Sequence, residues 1–351
     1  MSSVKSISSD KYNYGLGALR IVMCFEVIFA HFLDASVKSP GSWMGGICGY
    51  AASTFLLMSF YLTAKVFTQA DVNKEKKRLK KLVTPLIVWP FIYFVIYKLS
   101  DAVFKSSFTP TIKDLVVQIV FGHSLKLNSV LWFQWVIIIL NIVFLGIFVV
   151  LDKKKAIIAI SSLAIISLLL QYSGIWFSTI STLPLDIQIP VGRLVESVPV
   201  AVIGILLYEY GFYSKISDRL NSALSKIIAL VGMLLLLVVI FYSNLIPEAR
   251  GFGYQGIKKI LMSLLFFSLP QIAMLEGVSE GIRRAILVLS KYTMGIYCCH
   301  VLVGNILEKV FGRLGITVLP LINCLTIFIG SYILCFLISK IPFKWCQDLT
   351  T

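Results

Sequence analysis

The sequence predicts an all-α polytopic membrane protein, and three observations carry that prediction. Of 351 residues, 58% are apolar and only 14% charged, against about 45–50% and ~25% in soluble domains. Mean hydropathy is +0.89. The apolar residues also gather into long uninterrupted runs. Lipid offers no partners to open backbone, so each run of roughly 20 residues is read as a helix. A water-soluble globule is excluded, and the 13% aromatic content excludes a disordered chain.

Ten runs of spanning length follow in order: 14–34, 45–67, 82–103, 130–151, 155–173, 192–210, 224–243, 257–275, 285–308 and 317–339. Their connections set the orientation. Lys5 and Lys11 precede the first run. Even-numbered connections carry Lys74, Lys76, Lys77, Arg78, Lys80 and Lys81, then Lys153–Lys155, then Lys215 with Arg219, then Arg283 with Arg284; Lys344 lies in the tail. Odd-numbered connections are poorer: 35–44 has Lys38, 174–191 has none and 244–256 has Arg250. The long 104–129 connection breaks the pattern with Lys105, Lys113 and Lys126, and an amphipathic segment is expected there. Positive charge collects on the cytoplasmic side, so both termini are expected to be cytoplasmic. The basic runs at 74–81 and 153–155 are read as loops. No internal repeat or second soluble domain is seen, so residues 1–351 are read as one membrane domain. Glu26 interrupts the first apolar run and no A-x-A site follows it, which argues against a cleavable signal.

The net charge of +15 belongs to this topology rather than to nucleic acid; the expected surroundings are membrane lipid, with homo-oligomerisation left open. Seven cysteines (Cys24, Cys48, Cys298, Cys299, Cys324, Cys335, Cys346) form no C-x-x-C pair, so no disulfide framework and no metal site are expected.

Ionisable groups inside spans are costly and mark the place to look for chemistry. The first run has Arg20, Glu26 and His31. Eleven steps of about 100° come within ~20° of three full turns, so Arg20 and His31 share a helix face about 16.5 Å apart. Cys24 and Val27 lie between them. Glu26 points ~120° or more away, toward another helix rather than toward His31. A second histidine, His300, falls deep in the ninth run, with Tyr297 on its face. His123, in the 104–129 connection, is expected to be solvated. Arg193 and Glu196, one turn apart, are expected to pair with each other. Trp132, Trp135 and Trp176 suit interfacial belts, and the 74–81 cluster suits anionic lipid or a polyphosphate ligand.

The chain resembles membrane acyltransferase family 3, bacterial enzymes that O-acylate surface polysaccharides. Arg20 and His31, in Ala18-Leu19-Arg20 … Ala30-His31, look like the family's Arg-(ten residues)-His signature. Phe55–Leu62, Lys77–Pro85, Leu131-Trp132-Phe133 and Ile296–His300 are similar to further family patterns. Phe60 departs from them, standing where the family usually has glycine. The resemblance implies a multi-pass protein of the cell membrane, with no permanently bound cofactor, that takes acetyl-CoA or another acyl-CoA as donor. The acceptor it implies is a hydroxyl of a polysaccharide or lipid-linked glycan. It places the CoA phosphates at Arg20, Lys77, Arg78, Lys80 and Lys81, with the pantetheine arm along Cys24 and Val27. His31 then takes the acceptor's proton or carries the acyl group, with His300 as a second catalytic group. Arg193, Glu196, Tyr297 and Trp132 are the expected substrate contacts. The rival reading is an exporter or flippase for a lipid-linked glycan or small anion.

Overall fold

The computed structural model describes residues 12–32, 49–104, 109–173, 175–220, 222–242, 256–273 and 278–350. Among them are helices α1 (Tyr14–Phe32), α2 (Ala51–Thr68), α3 (Val72–Phe104), α4 (Ile112–Phe121) and α5 (Trp132–Val150). They continue as α6 (Lys153–Ser173), α7 (Ile175–Ile180), α8 (Leu185–Glu209), α9 (Phe212–Arg219) and α10 (Ala223–Tyr242). The last five are α11 (Ile257–Ala273), α12 (Glu280–Lys291), α13 (Thr293–Leu314), α14 (Pro320–Ser339) and α15 (Lys344–Thr350). One isolated bridge, Ser124 to Asn128, is the only β pairing among the described residues.

Among the described residues, eight helices are long and apolar enough to cross a membrane: α1, α2, α3, α5, α6, α8, α13 and α14. The runs at 224–243 and 257–275 are helical too, as the 20-residue α10 and the 17-residue α11. The apolar part of α10 is Leu224–Ile240, and α11 has 17 residues with Pro270 inside. A ten-span topology therefore needs α10 to cross and α11 to cross as a short helix.

Three boundaries differ from the sequence reading, each for a local reason. The 74–81 run is not a loop but the first turns of the 33-residue α3, where the Asp71 carboxylate accepts the Lys74 backbone N–H at 2.9 Å. Lys153–Lys155 likewise open α6, capped by Asp152 through the Lys155 N–H at 3.1 Å. Both are aspartate N-caps that satisfy an orphan donor of the first turn. The run at 285–308 is broken at Tyr292 into α12, whose buried residues are Ile286 and Ser290, and α13. The amphipathic segment expected in 104–129 is α4, opened by a Thr111–Asp114 capping box and closed by Gly122 at φ 68°, a conformation open to glycine without steric cost. Lys5, Lys11, Lys38, Cys48, Lys105 and Arg250 lie outside the described residues.

The core is centred on α2, which packs most extensively against α8. Phe60 is fully buried, its ring 6.0 Å from Phe67 and 5.5 Å from Phe144. Close backbone approach at this level comes from the other helix. A Cβ on Gly204 of α8 would lie 2.6 Å from the Leu57 carbonyl oxygen and 3.0 Å from the Tyr61 nitrogen. The small residue that tight helix packing needs is thus on α8, and α2 carries the large one.

Candidate active site

Glu26 fixes where α1 meets α2. Its carboxylate accepts the Gly49 backbone N–H, and those of Tyr50 and Ala51 at 3.3 Å each. It therefore caps the N-terminus of α2, where orphan N–H groups and the helix dipole both favour an anion. The expectation that Glu26 serves another helix rather than His31 holds. Measured from this cap at about 1.5 Å per residue, Arg20 lies ~9 Å down α1 and Ser59 ~12 Å down α2.

Arg78 reaches this depth from α3. Its guanidinium donates to Ser59 Oγ at 2.7 Å, to the Asn141 side-chain oxygen and to Glu75 at 3.2 Å. Glu75 has no exposed surface, so Arg78 neutralises a buried carboxylate. Lys77, Lys80 and Lys81 face outward from the same turns and are exposed. Arg20 is half-buried. At the same end of α1, Arg283 of α12 lies over the Tyr14 ring at 5.5 Å, a basic neighbour that sequence spacing could not reveal.

Between Arg20 and His31 the helix face is packed. Cys24 is fully buried and Val27 nearly so, and the Cys24 thiol lies 3.6 Å from the Thr293 carbonyl of α13. The stripe is the α1–α13 contact rather than an open track.

At the far end, α1 and α13 bring the two histidines together. The His31 ring is exposed, and its centroid is 5.3 Å from that of His300, with the planes at 49°. His300 is fully buried. Its Nδ1 lies 2.7 Å from the Tyr297 carbonyl oxygen and 3.3 Å from that of Ile296. Carbonyls only accept, so the neutral ring carries its proton on Nδ1. Phe32 packs edge-on to His300 at 6.4 Å and fills the space above Gly304, where a Cβ would come within 2.1 Å of the Phe32 ring.

Ring contacts continue inward. Tyr297 lies 6.0 Å from His300 and 5.3 Å from Phe133, and its hydroxyl donates to the Val130 carbonyl. Phe133 meets Trp132 at 5.9 Å, and the Arg193 guanidinium lies over Trp132 at 5.3 Å. Arg193 pairs with Glu196 at 3.1 Å, both buried, as the spacing predicts. Trp132 is buried rather than set at a lipid interface; the Trp176 side chain lies outside the described residues. His123 corrects an expectation. It is buried, not solvated, and its Nδ1 is 3.4 Å from Asp186. Burial holds this imidazole below its ordinary value, against the pull of the Asp186 carboxylate. A cavity of about 430 Å³ has Tyr97, Ser129, Val301, Asn305 and Glu308 in its wall. Asn305 donates to the Tyr97 hydroxyl there at 2.7 Å.

Fold and hydropathy define a multi-pass helical membrane protein with titratable side chains gathered inside the bundle. The family model described as an acyltransferase domain matches residues 13–340. The chain belongs to acyltransferase family 3. No curated protein and no solved structure is significantly similar to it.

Proposed function

We propose that the protein moves an acyl group, acetyl in the simplest case, from cytoplasmic acyl-CoA to a hydroxyl of a cell-surface glycan or its lipid-linked precursor. Acyltransferase activity follows from the family; the observation that carries the finer reading is the His31–His300 contact at the end of α1 opposite Arg20. A neutral His31 imidazole takes the proton of the acceptor hydroxyl as its oxygen attacks the thioester carbonyl. The C–S bond then breaks, and the imidazolium returns the proton to the departing CoA thiolate. The groove lined by Tyr97, Asn305 and Glu308 gives the acceptor a polar approach with an aromatic wall. Trp132, Arg193 and Glu196, linked to Tyr297 through Phe133, are the further acceptor contacts in this reading.

Donor phosphates fall to Arg20 with Lys77, Lys80 and Lys81, as charge-assisted contacts. Arg78 already has three partners and serves chiefly to hold α3 against α2 and α5. Because Cys24 and Val27 are packed against α13, the pantetheine arm runs beside their stripe rather than along it.

The reading is tested with purified protein in nanodiscs, radiolabelled acetyl-CoA and a lipid-linked oligosaccharide. Thiol release coupled to acetylated glycan is the expected result. Glycan movement across proteoliposomes without thioester cleavage would instead support an exporter.

A further inference from the structure

We propose that the cavity between α3, α13 and the 125–129 turn is a subsite for an uncharged sugar unit of the acceptor, in which the Glu308 carboxylate accepts hydrogen bonds from two adjacent hydroxyls. This deepens the proposed function and rests on it, since a glycan is taken as the acceptor and Glu308 is named as the residue that selects its sugar.

The cavity holds about 430 Å³, within the roughly 300–1,000 Å³ of small-molecule sites. Its α13 wall is a single helix face, with Val301, Asn305 and Glu308 at steps of four and three residues. That face starts one residue past His300, and Glu308 lies ~12 Å beyond His300 along the axis. Glu308 therefore holds the acceptor at a distance from its reacting hydroxyl.

The walls are fixed from behind. The Tyr93 hydroxyl of α3 donates to the Cys298 carbonyl at 2.9 Å and accepts the Leu302 N–H at 3.1 Å, which ties α3 to α13. Tyr97 packs edge-on against the Tyr93 ring at 5.7 Å. The turn is pinned by the Gln118 side-chain oxygen, which accepts the Asn128 N–H at 3.2 Å, and by Asp186, which accepts the Leu125 N–H at 2.9 Å. A site held in this way has little ordering left to do when a ligand arrives.

The polar groups of the wall, by contrast, are uncommitted. Asn305 donates one amide N–H to the Tyr97 hydroxyl at 2.7 Å, which leaves the Asn305 oxygen as an acceptor and the Tyr97 O–H as a donor. Among the described residues, neither the Ser129 hydroxyl nor the Glu308 carboxylate has a partner. This mixture of donors and acceptors around an aromatic ring suits a ring of hydroxyls, each of which both donates and accepts. A carboxylate only accepts, through two oxygens side by side, and two neighbouring sugar hydroxyls offer it two donors. Such charge-assisted bonds are stronger than neutral ones. Lys309 adds one positive charge to the wall, and its ammonium donates to the Ser100 hydroxyl at 2.9 Å. One carboxylate and one ammonium cancel, so no net charge draws in an acidic sugar, and a uronate placed on Glu308 meets a like charge.

Saturation-transfer NMR on the protein in nanodiscs reads the binding of methyl glucoside, methyl galactoside and methyl glucuronide without turnover. At least one neutral glycoside is expected to bind, and the glucuronide is not. Glu308 is exposed and unpartnered, so Glu308→Gln should fold as the wild type does while binding the neutral glycoside about 10–100-fold more weakly, the range for losing a hydrogen bond to a charged group. Ser129→Trp, which fills the cavity, should abolish binding. In the transfer assay Glu308→Gln should raise KM for the glycan by a similar factor, with kcat and KM for acetyl-CoA near their wild-type values. The proposal is overturned if no neutral glycoside binds, if the glucuronide binds as well as the neutral sugars, or if binding survives either substitution unchanged. A wild type that binds the neutral glycoside in this cavity but transfers no acyl group would sink the proposed function alone. Glycan acylation with a KM indifferent to Glu308→Gln would sink the subsite alone.

Discussion

The two ends of α1 are built on different physical terms. At the His31 end, position is imposed by packing: His300 has no freedom, Phe32 sits in the notch of Gly304, and the ring contacts run on through Tyr297 to Phe133. At the Arg20 end, charge is divided. Arg78 is consumed by Glu75, Ser59 and Asn141, while Lys77, Lys80 and Lys81 stand in solvent. Proton transfer needs a base held to within a fraction of an ångström. Phosphate binding tolerates mobile ammonium groups that act as point charges. Under the proposed function, the difference between the ends matches that difference in demand.

The comparison breaks first at Arg78. Arg78→Leu leaves Glu75 as an uncompensated buried carboxylate, which costs about 3–5 kcal/mol. Denaturant unfolding in detergent should show that loss, and Glu75→Gln combined with Arg78→Leu should recover most of it. If Arg78→Leu folds normally and loses only CoA affinity, Arg78 belongs with the lysines after all.

Gly304→Ala probes the packed end. The added methyl displaces a side-chain ring rather than backbone, so stability should change little while kcat drops about tenfold through misplacement of His31. CoA binding, measured by calorimetry, should not move. Equal kcat in the variant would mean that Phe32 does not help set the His31 position.

Replacing Lys77, Lys80 and Lys81 together by Gln probes the loose end. CoA affinity should fall several-fold at low salt and converge with wild type at high salt, since exposed charges are screened within ~8–10 Å. A salt-independent loss would point instead to a direct, desolvated contact.

The smallest effect concerns His123, which lies on neither end. Burial depresses its proton affinity, so the unfolded chain binds a proton more readily than the folded one. The stability linked to this site is full above about pH 6.5, its ordinary value, and is lost as pH falls through that value toward the folded one. Thermal unfolding between pH 7.5 and 5 should show a fall that His123→Gln reduces.

Much of this was legible in the sequence, and the exceptions have physical causes. Helical periodicity alone placed Arg20 and His31 on one face and turned Glu26 away from them. The i,i+3 spacing of Arg193 and Glu196 foretold their pair. The basic runs were misread as loops because their charge was weighed and their caps were not; Asp71 and Asp152, each just ahead of a lysine run, are the signals that mark helix starts there. His123 was misplaced because its partner, Asp186, is remote in sequence and only the fold brings them together. Phe60 was an exception to a family pattern with no visible compensation, since Gly204 matters only once α8 is known to lie on α2. The His31–His300 contact has no sequence signature either, because two helices far apart in the chain must first be packed.

The central claim is that His31 is the group that takes the acceptor's proton, and one comparison addresses it directly. Acetyl transfer from acetyl-CoA to a lipid-linked glycan would be followed in nanodiscs for wild type and His31→Ala, with CoA binding measured on the same samples. Loss of a positioned base costs about 10²–10⁴ in rate, so transfer should fall by that factor while CoA affinity stays at its wild-type value. Transfer at near wild-type rate by a His31→Ala protein that binds CoA normally would contradict the account.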